Sequence, residues 1–261
     1  MPTALVINPN TTQHMTDDIE KSAAKVFTPP WEFHTVQPPG GTGSIESLFE
    51  SGLAATAIYA ILKEYDPIDG VVLACFGDPG LHMFREILPV PVTGIAEASF
   101  LTACMLGHKF GIVIGGHNDV PAMESFLWTL GLEKRYAGSW AMDMEVLEMS
   151  VDREKTLQTL VEGGQEIIDK GGEVILLGCA GLGTYQEDLQ ERLNVPVIDP
   201  NEAGCRQLRL LVDMGLNTSH VGLFYGPNPK ELDNLTSIFE PGLAEWLKSK
   251  AKDGFYKGEG K

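Results

Sequence analysis

The chain has 261 residues, with 19 Lys and Arg against 36 Asp and Glu, giving a formal net charge of −17 at pH 7. An acid excess of this size excludes a protein that holds nucleic acid by its phosphates, and it would repel anionic lipid headgroups. At 43% hydrophobic and 21% charged residues, the composition is that of a globular chain with one or two domains, not of a disordered one.

In chain order, the first apolar run, Ala4–Ile7, predicts a strand. Asn8-Pro9-Asn10-Thr11 then reads as a turn into a helix over Thr12–Val26, with Thr11 or Thr12 as its cap. A strand over Phe33–Val36 and a helix over Ser44–Glu64, capped by Ser44, come next. Strands at Val71–Cys75 and Val92–Ile95 lead to a helix over Glu97–Leu106. After a strand at Phe110–Ile114, Asn118 or Asp119 would cap a helix over Val120–Leu130. The pattern continues with a helix over Asp152–Lys170, strands at Val174–Gly178 and Val195–Ile198, and a helix over Asn201–Leu216. Pro227, Pro229 and Pro241 interrupt the remainder, where one short helix over Leu243–Lys250 and then a loose tail are expected. Such alternation of short strands and longer helices predicts α/β architecture with mostly parallel sheets.

No run approaches the roughly 18 apolar residues of a membrane span. The opening Met-Pro-Thr-Ala-Leu-Val-Ile lacks the basic flank and long apolar segment of a secretion signal, so a cytoplasmic protein is expected. Cys75, Cys104, Cys179 and Cys205 show neither a CxxC spacing nor paired histidines, which argues against a zinc site or a disulfide scaffold.

An internal repeat organises the rest. Val71-Val-Leu-Ala-Cys75 runs into Phe-Gly-Asp-Pro-Gly-Leu, and Val174-Ile-Leu-Leu-Gly-Cys179 runs into Ala-Gly-Leu-Gly. Sixteen residues after Cys75 comes Pro91-Val92, leading to Glu97-Ala98; seventeen after Cys179 comes Pro196-Val197, leading to Glu202-Ala203. The expected fold is therefore two similar lobes, each a mostly parallel sheet flanked by helices, related by a pseudo-twofold axis with the active site in the cleft between them. Residues 1–96 with 207–261 would form the first lobe and its tail, and residues 97–206 the second.

Ligands of open parallel sheets bind outside the carboxyl ends of the strands. Cys75 and Cys179 fall there, whereas Cys104 and Cys205 fall within helices and read as core residues. Main-chain N–H groups of Phe76, Gly77, Ala180 and Gly181 would point into the same space, hold negative charge and lower the thiol pKa values. Two thiols opposed across a substrate suit racemisation next to a carbonyl. One, as thiolate, takes the proton from one face, and the other, as thiol, delivers a proton to the opposite face. An isolated Cys at the end of a buried strand is usually a small core hydrophobe. Two at matching places in a repeat are not so readily explained that way.

The segments Ile7-Asn-Pro-Asn-Thr-Thr12, Gly43-Ser-Ile-Glu46, Ala74-Cys-Phe-Gly-Asp-Pro-Gly-Leu81, Gly94-Ile-Ala-Glu-Ala-Ser99, Leu177-Gly-Cys-Ala-Gly-Leu182 and Pro196-Val-Ile-Asp199 together resemble the Asp/Glu/hydantoin racemase superfamily. Within it they are most similar to the hydantoin and allantoin racemase group that includes fungal relatives. The resemblance spans nearly all of the first 220 residues in the expected order. It implies that Cys75 and Cys179 are the catalytic pair and that the enzyme needs neither pyridoxal phosphate nor a metal. It also implies a small-molecule substrate and a homo-oligomer. Asn10 would belong to the pocket floor, a role that is compatible with capping the helix behind it. Glu97 and Glu202, each opening a helix, read as acids favoured by the helix dipole rather than as catalytic groups.

One departure bears on the substrate. Many hydantoin racemase-like proteins carry Thr-Thr after the strand equivalent to Phe110–Ile114; here the residues are Gly115-Gly116, followed by His117. His117 is either a replacement donor or a solvated loop residue. The leading expectation is a cofactor-independent racemase of a cyclic ureide, a 5-substituted hydantoin or allantoin. The alternatives are an aspartate or glutamate racemase on the same scaffold, or a non-catalytic relative that binds a small ligand.

Overall fold

Eight short apolar or β-rich segments pair into two sheets in the computed structural model, which describes residues 1–65 and 67–253. The first half contains β1 (Thr3–Ile7), α1 (Gln13–Val26), β2 (Glu32–Val36), α2 (Leu48–Tyr65), β3 (Gly70–Leu73), α3 (Leu81–Ile87), β4 (Val92–Gly94) and α4 (Ile95–Leu106). The second contains β5 (Phe110–Ile114), α5 (Asp119–Thr129), β6 (Tyr136–Ala141), α6 (Arg153–Asp169), β7 (Val174–Leu177), α7 (Gln186–Leu193), β8 (Val197–Ile198) and α8 (Pro200–Asp213), with α9 (Pro241–Asp253) beyond it. The strand orders are β2-β1-β3-β4 and β6-β5-β7-β8, and every pairing is parallel. The two sheets thus share one topology, as the repeat in the sequence requires.

The central strands β1, β3, β5 and β7 are buried along nearly all of their length, which is why they read as unbroken apolar runs rather than as alternating patterns. After the fourth strand of each sheet the chain crosses over. Helix α4 leaves β4 and packs on β5 and β7, while α8 leaves β8 and packs on β3 and β4. Thr93 Oγ1 donates to Gly204 O at 3.1 Å in that crossing. The crossed helices pack against each other as well, so the lobes are joined through their cores.

Several boundaries move by a turn or less from the sequence reading. Ser44 does not cap the second helix. Its hydroxyl donates to Glu46 Oε1 at 2.5 Å, and Ser47, three residues on, accepts from the Glu50 N–H at 3.2 Å. Asp152 and Asp199 do cap their helices, accepting from Lys155 and Asn201 N–H groups respectively. Three elements were not anticipated: α3, α7 and the edge strand β6. The last helix extends over Pro241–Asp253, and the tail expected after it, residues 254–261, lies outside the described residues. Among the described residues no helix is long and apolar enough to cross a membrane.

Candidate active site

A cavity of about 470 Å³ opens where the C-terminal ends of β1, β3, β5 and β7 converge. It is bordered by Asn10 after β1, Cys75 after β3, Gly115 after β5 and Cys179 after β7. Phe76, Gly77 and Ala180 also border it. Gly181 does not, but its N–H bonds to the Cys179 thiol.

Each cysteine opens the same four-residue turn. Asp78 N–H donates to Cys75 O at 2.9 Å, and Leu182 N–H donates to Cys179 O at 3.1 Å. In each turn the third residue, Gly77 or Gly181, gives its N–H to the thiol. The donors anticipated from the sequence are therefore present and pull the thiols in the expected direction, but burial outweighs them. Burial pushes Cys75 up to about 12 and Cys179 up to about 11, against the opposing pull of the glycine N–H groups. Negative charge nearby adds to the rise, from Cys179, Asp78 and Asp119 at Cys75, and from Asp119 and Glu46 at Cys179. Cys205 is fully buried and Cys104 partly buried in α8 and α4, neither bordering the cavity.

The Asn8-Pro9-Asn10-Thr11 turn is held by its own side chains. Asn8 Nδ2 donates to Asn10 Oδ1 at 3.0 Å and to Thr16 Oγ1 at 2.9 Å. Asn10 Oδ1 also accepts the Thr12 N–H at 2.9 Å, the short polar link typical of a turn into a helix. That leaves the Asn10 amide nitrogen with the Met15 sulfur, 3.5 Å away, a weak acceptor, so its donor capacity faces the cavity largely unspent. The same turn anchors the next loop. Thr11 N–H donates to Thr42 O, and Thr12 Oγ1 donates to Gly43 O at 2.6 Å, which brings Ile45 and Glu46 to the cavity wall.

An aromatic cluster supports the Cys75 turn from the other lobe. Phe76 meets the Phe100 ring edge-on at 5.7 Å, Phe100 stacks on Phe110 at 5.8 Å, and Phe126 packs edge-on against Phe100 at 5.7 Å. Behind it, Arg85 forms a two-pronged ion pair with Glu97, at 2.8 and 2.9 Å, and donates to Val92 O. Glu97 is thus tied to a partner as well as lying in the first turn of α4. Glu202 pairs with Arg206.

Sequence reasoning did not foresee several parts of the wall. Helix α3 contributes Leu81, His82 and Met83, and α5 contributes Asp119, Ala122, Met123 and Phe126. Glu46 lay inside a segment singled out above, and Asp119 was read only as a cap. His117 does not point here; it is exposed, beside Asp143 at 3.0 Å, and away from the cavity. Among the described residues no group of three or more His, Cys, Asp and Glu side chains is arranged to hold a metal ion.

The fold and the sequence have close counterparts. The family model described as Asp/Glu/Hydantoin racemase matches residues 5–208. A hydantoin racemase of Pseudomonas sp. strain NS671 is 36% identical over 229 residues, covering 87% of this chain and 92% of that protein. The structure of allantoin racemase from Klebsiella pneumoniae superposes with a TM-score of 0.85 at 34% identity, covering 91% of this chain and 98% of the other. A glutamate racemase of Bacillus anthracis, at 15% identity and a TM-score of 0.61 over 84% of both chains, shares the two-lobed fold. Two four-stranded parallel sheets flanked by helices match the two-lobed fold of these racemases, and the chain belongs to the Asp/Glu/hydantoin racemase family.

Proposed function

We propose that this protein is a cofactor-independent racemase of a cyclic ureide, a 5-substituted hydantoin or allantoin, with Cys75 and Cys179 as its two acid–base groups. The observation that carries this reading is that both thiols border one cavity from equivalent strand ends of the two sheets. In the reaction, one thiolate takes the proton from C5, and the electron pair moves onto the adjacent ring carbonyl oxygen as an enolate. The opposite thiol returns its own proton to C5 from the other face, and the enolate collapses to the carbonyl. Thiol and thiolate have then exchanged places, ready for the reverse direction. N–H groups of Gly77 and Gly181 steady whichever sulfur carries charge, and the amide of Asn10 is placed to donate to a ring carbonyl.

The raised thiol pKa values suit half of this scheme and constrain the other. Burial keeps the acid partner protonated at neutral pH, as it must be. The base partner is rarely ionised, but a thiolate of high pKa is a strong base once formed, and the ring carbonyl and nitrogens acidify the C5 hydrogen.

The lining favours a cyclic ureide over aspartate or glutamate. A free amino diacid brings two carboxylates, and among the described residues bordering the cavity there is no Lys or Arg to meet them, whereas Glu46 and Asp119 are both there. The ring is also far smaller than the cavity, and the apolar remainder around Met83, Met123 and Phe126 suits a substituent.

The test is incubation of the enzyme in heavy water with single enantiomers of 5-substituted hydantoins, allantoin, aspartate and glutamate, following optical rotation and deuterium entry. Racemisation of a ureide with exchange at the stereocentre is expected. Cys75→Ala and Cys179→Ala should each lose at least about 100-fold in racemisation, while each can still exchange the proton of one enantiomer. Full racemisation by either variant would remove the two-thiol mechanism.

A further inference from the structure

Gly115 borders the cavity after β5 and Gly116 follows it, with the carboxylate of Asp119 near both. A Cβ at residue 116 would lie 3.6 Å from Asp119 Oδ2, and one at residue 115 would lie 3.9 Å from the same oxygen. That oxygen accepts the Gly116 N–H at 3.2 Å. The other, Oδ1, accepts no hydrogen bond from the described residues. Asp119 borders the cavity, and its charge is felt at both thiols. The other ionisable groups on the wall are Glu46, Asp78 and His82, with Asp78 spent on the N-terminus of α4. No cation of Lys or Arg type balances Asp119 among the described lining residues.

We propose that Asp119 determines specificity, its carboxylate accepting a ring or side-chain N–H of an uncharged ureide and excluding ureides whose C5 substituent carries a negative charge. This rests on the racemase reading above and narrows its substrate class. A carboxylate is an acceptor with no proton to donate, so it complements the N–H groups of an uncharged ureide and opposes any substrate anion. Asp119 is partly buried at the cavity wall, where such opposition is screened less than in bulk water.

The experiment compares two enantiopure hydantoins, one with a benzyl and one with a carboxymethyl group at C5. Affinity is measured by calorimetry and turnover by loss of optical activity, for wild type, Asp119→Asn and Asp119→Ser, with folding checked by thermal melting. Wild type should bind the benzyl compound at least about 10-fold more tightly than the anionic one. Both variants should narrow that ratio about 10-fold, chiefly through tighter binding of the anion, and added salt should narrow it in wild type but not in the variants. A ratio unchanged within about twofold in both folded variants, or equal binding of the two hydantoins by wild type, overturns the assignment. If charge discrimination is found and depends on Asp119 but neither hydantoin is racemised, the assignment stands and the racemase reading fails. If neither hydantoin binds, both fall together.

Discussion

The carboxylate of Asp78 fills the space that a side chain at Gly94 would need: a Cβ there would lie 2.5 Å from Asp78 Oδ1. From that position Asp78 accepts the N–H groups of Ala96 and Glu97 at 3.0 and 2.9 Å, capping α4 across the gap between the Cys75 turn and the end of β4. Asp78 itself holds a left-handed backbone, φ 44°, which Asp tolerates better than most residues. In the second lobe the acid stands at the place that matches Gly94, and the glycine it faces lies one residue beyond the place that matches Asp78. Asp199 ends β8, caps α8 from within its own chain segment, and stands against Gly183 beside the Cys179 turn, where a Cβ would lie 2.7 Å from Asp199 Oδ1.

Gly94→Ala should therefore destabilise the protein by about 1–3 kcal/mol, because the carboxylate cannot retreat without leaving two helix N–H groups unmet. Gly183→Ala should do the same. Exchanging the pair, Asp78→Gly with Gly94→Asp, places the acid after the last strand of the sheet as in the second lobe and should keep more stability than Gly94→Asp alone. Urea unfolding of the three variants measures this; a double exchange no better than that single change would show that the two arrangements are not equivalent.

Asp78 also sets a pH dependence. Burial raises its carboxyl to about 7, against the pull of the Glu97 and Ala96 N–H groups. A group that keeps its proton in the folded state longer than in the unfolded chain lowers stability as pH rises between the two values. The window here runs from about 4, the ordinary carboxyl value, to about 7. Asp78→Asn removes that titration, so its melting temperature relative to wild type should climb from pH 4.5 to pH 7.5, whatever its offset at the lower end. A parallel pair of pH curves is the contrary result.

The ring cluster around Phe100 gives a further handle, because it couples the Cys75 turn to the second lobe's core. Phe100 is fully buried and touches Phe76, Phe110 and Phe126. Phe100→Leu should cost less than the roughly 3–5 kcal/mol of Phe100→Ala, yet both should lower kcat more than they raise KM, since Phe76 precedes Gly77, the donor to the Cys75 thiol. Kinetics on the variants that remain folded decide this; an effect on stability alone would confine the cluster to packing.

What was legible in the sequence was what repetition and burial write into it. The apolar runs Val71–Leu73 and Val174–Leu177 announce central parallel strands, and matched Cys-turn-Pro spacings announce two halves of one topology. Strand β6 escaped because Tyr136-Ala-Gly-Ser-Trp-Ala141 lies half-buried at a sheet edge, with Gly138 at φ 129°, and has no apolar run to show. Helix α3 escaped because seven residues after Pro79-Gly80 carry too little periodicity, and with it went the His82 and Met83 wall. The contacts of Asp78 with Gly94 and of Asp199 with Gly183 were hidden for another reason: a repeat search matches like residues, whereas Gly94 matches an acid and Asp78 matches Leu182. The sign of the thiol shift was misjudged because donors can be read from a turn motif, but depth of burial belongs to the assembled fold.

That correction leads to the last prediction. An ordinary thiol reacts with iodoacetamide at a rate that follows its thiolate fraction and levels off above about pH 9. Cys75 and Cys179, held up to about 12 and about 11 chiefly by burial, should still gain close to tenfold in rate per pH unit at pH 9 and continue to gain beyond it. Cys179 should be the faster of the two at equal access, since its value is the lower. Site-resolved alkylation by mass spectrometry, on protein shown by circular dichroism to remain folded across the range, measures both rates. A bound cyclic ureide should slow both thiols together, as they border one cavity. If either rate levels off below pH 8, the N–H donors of Gly77 or Gly181 outweigh burial after all, and a thiolate would stand ready in the resting enzyme.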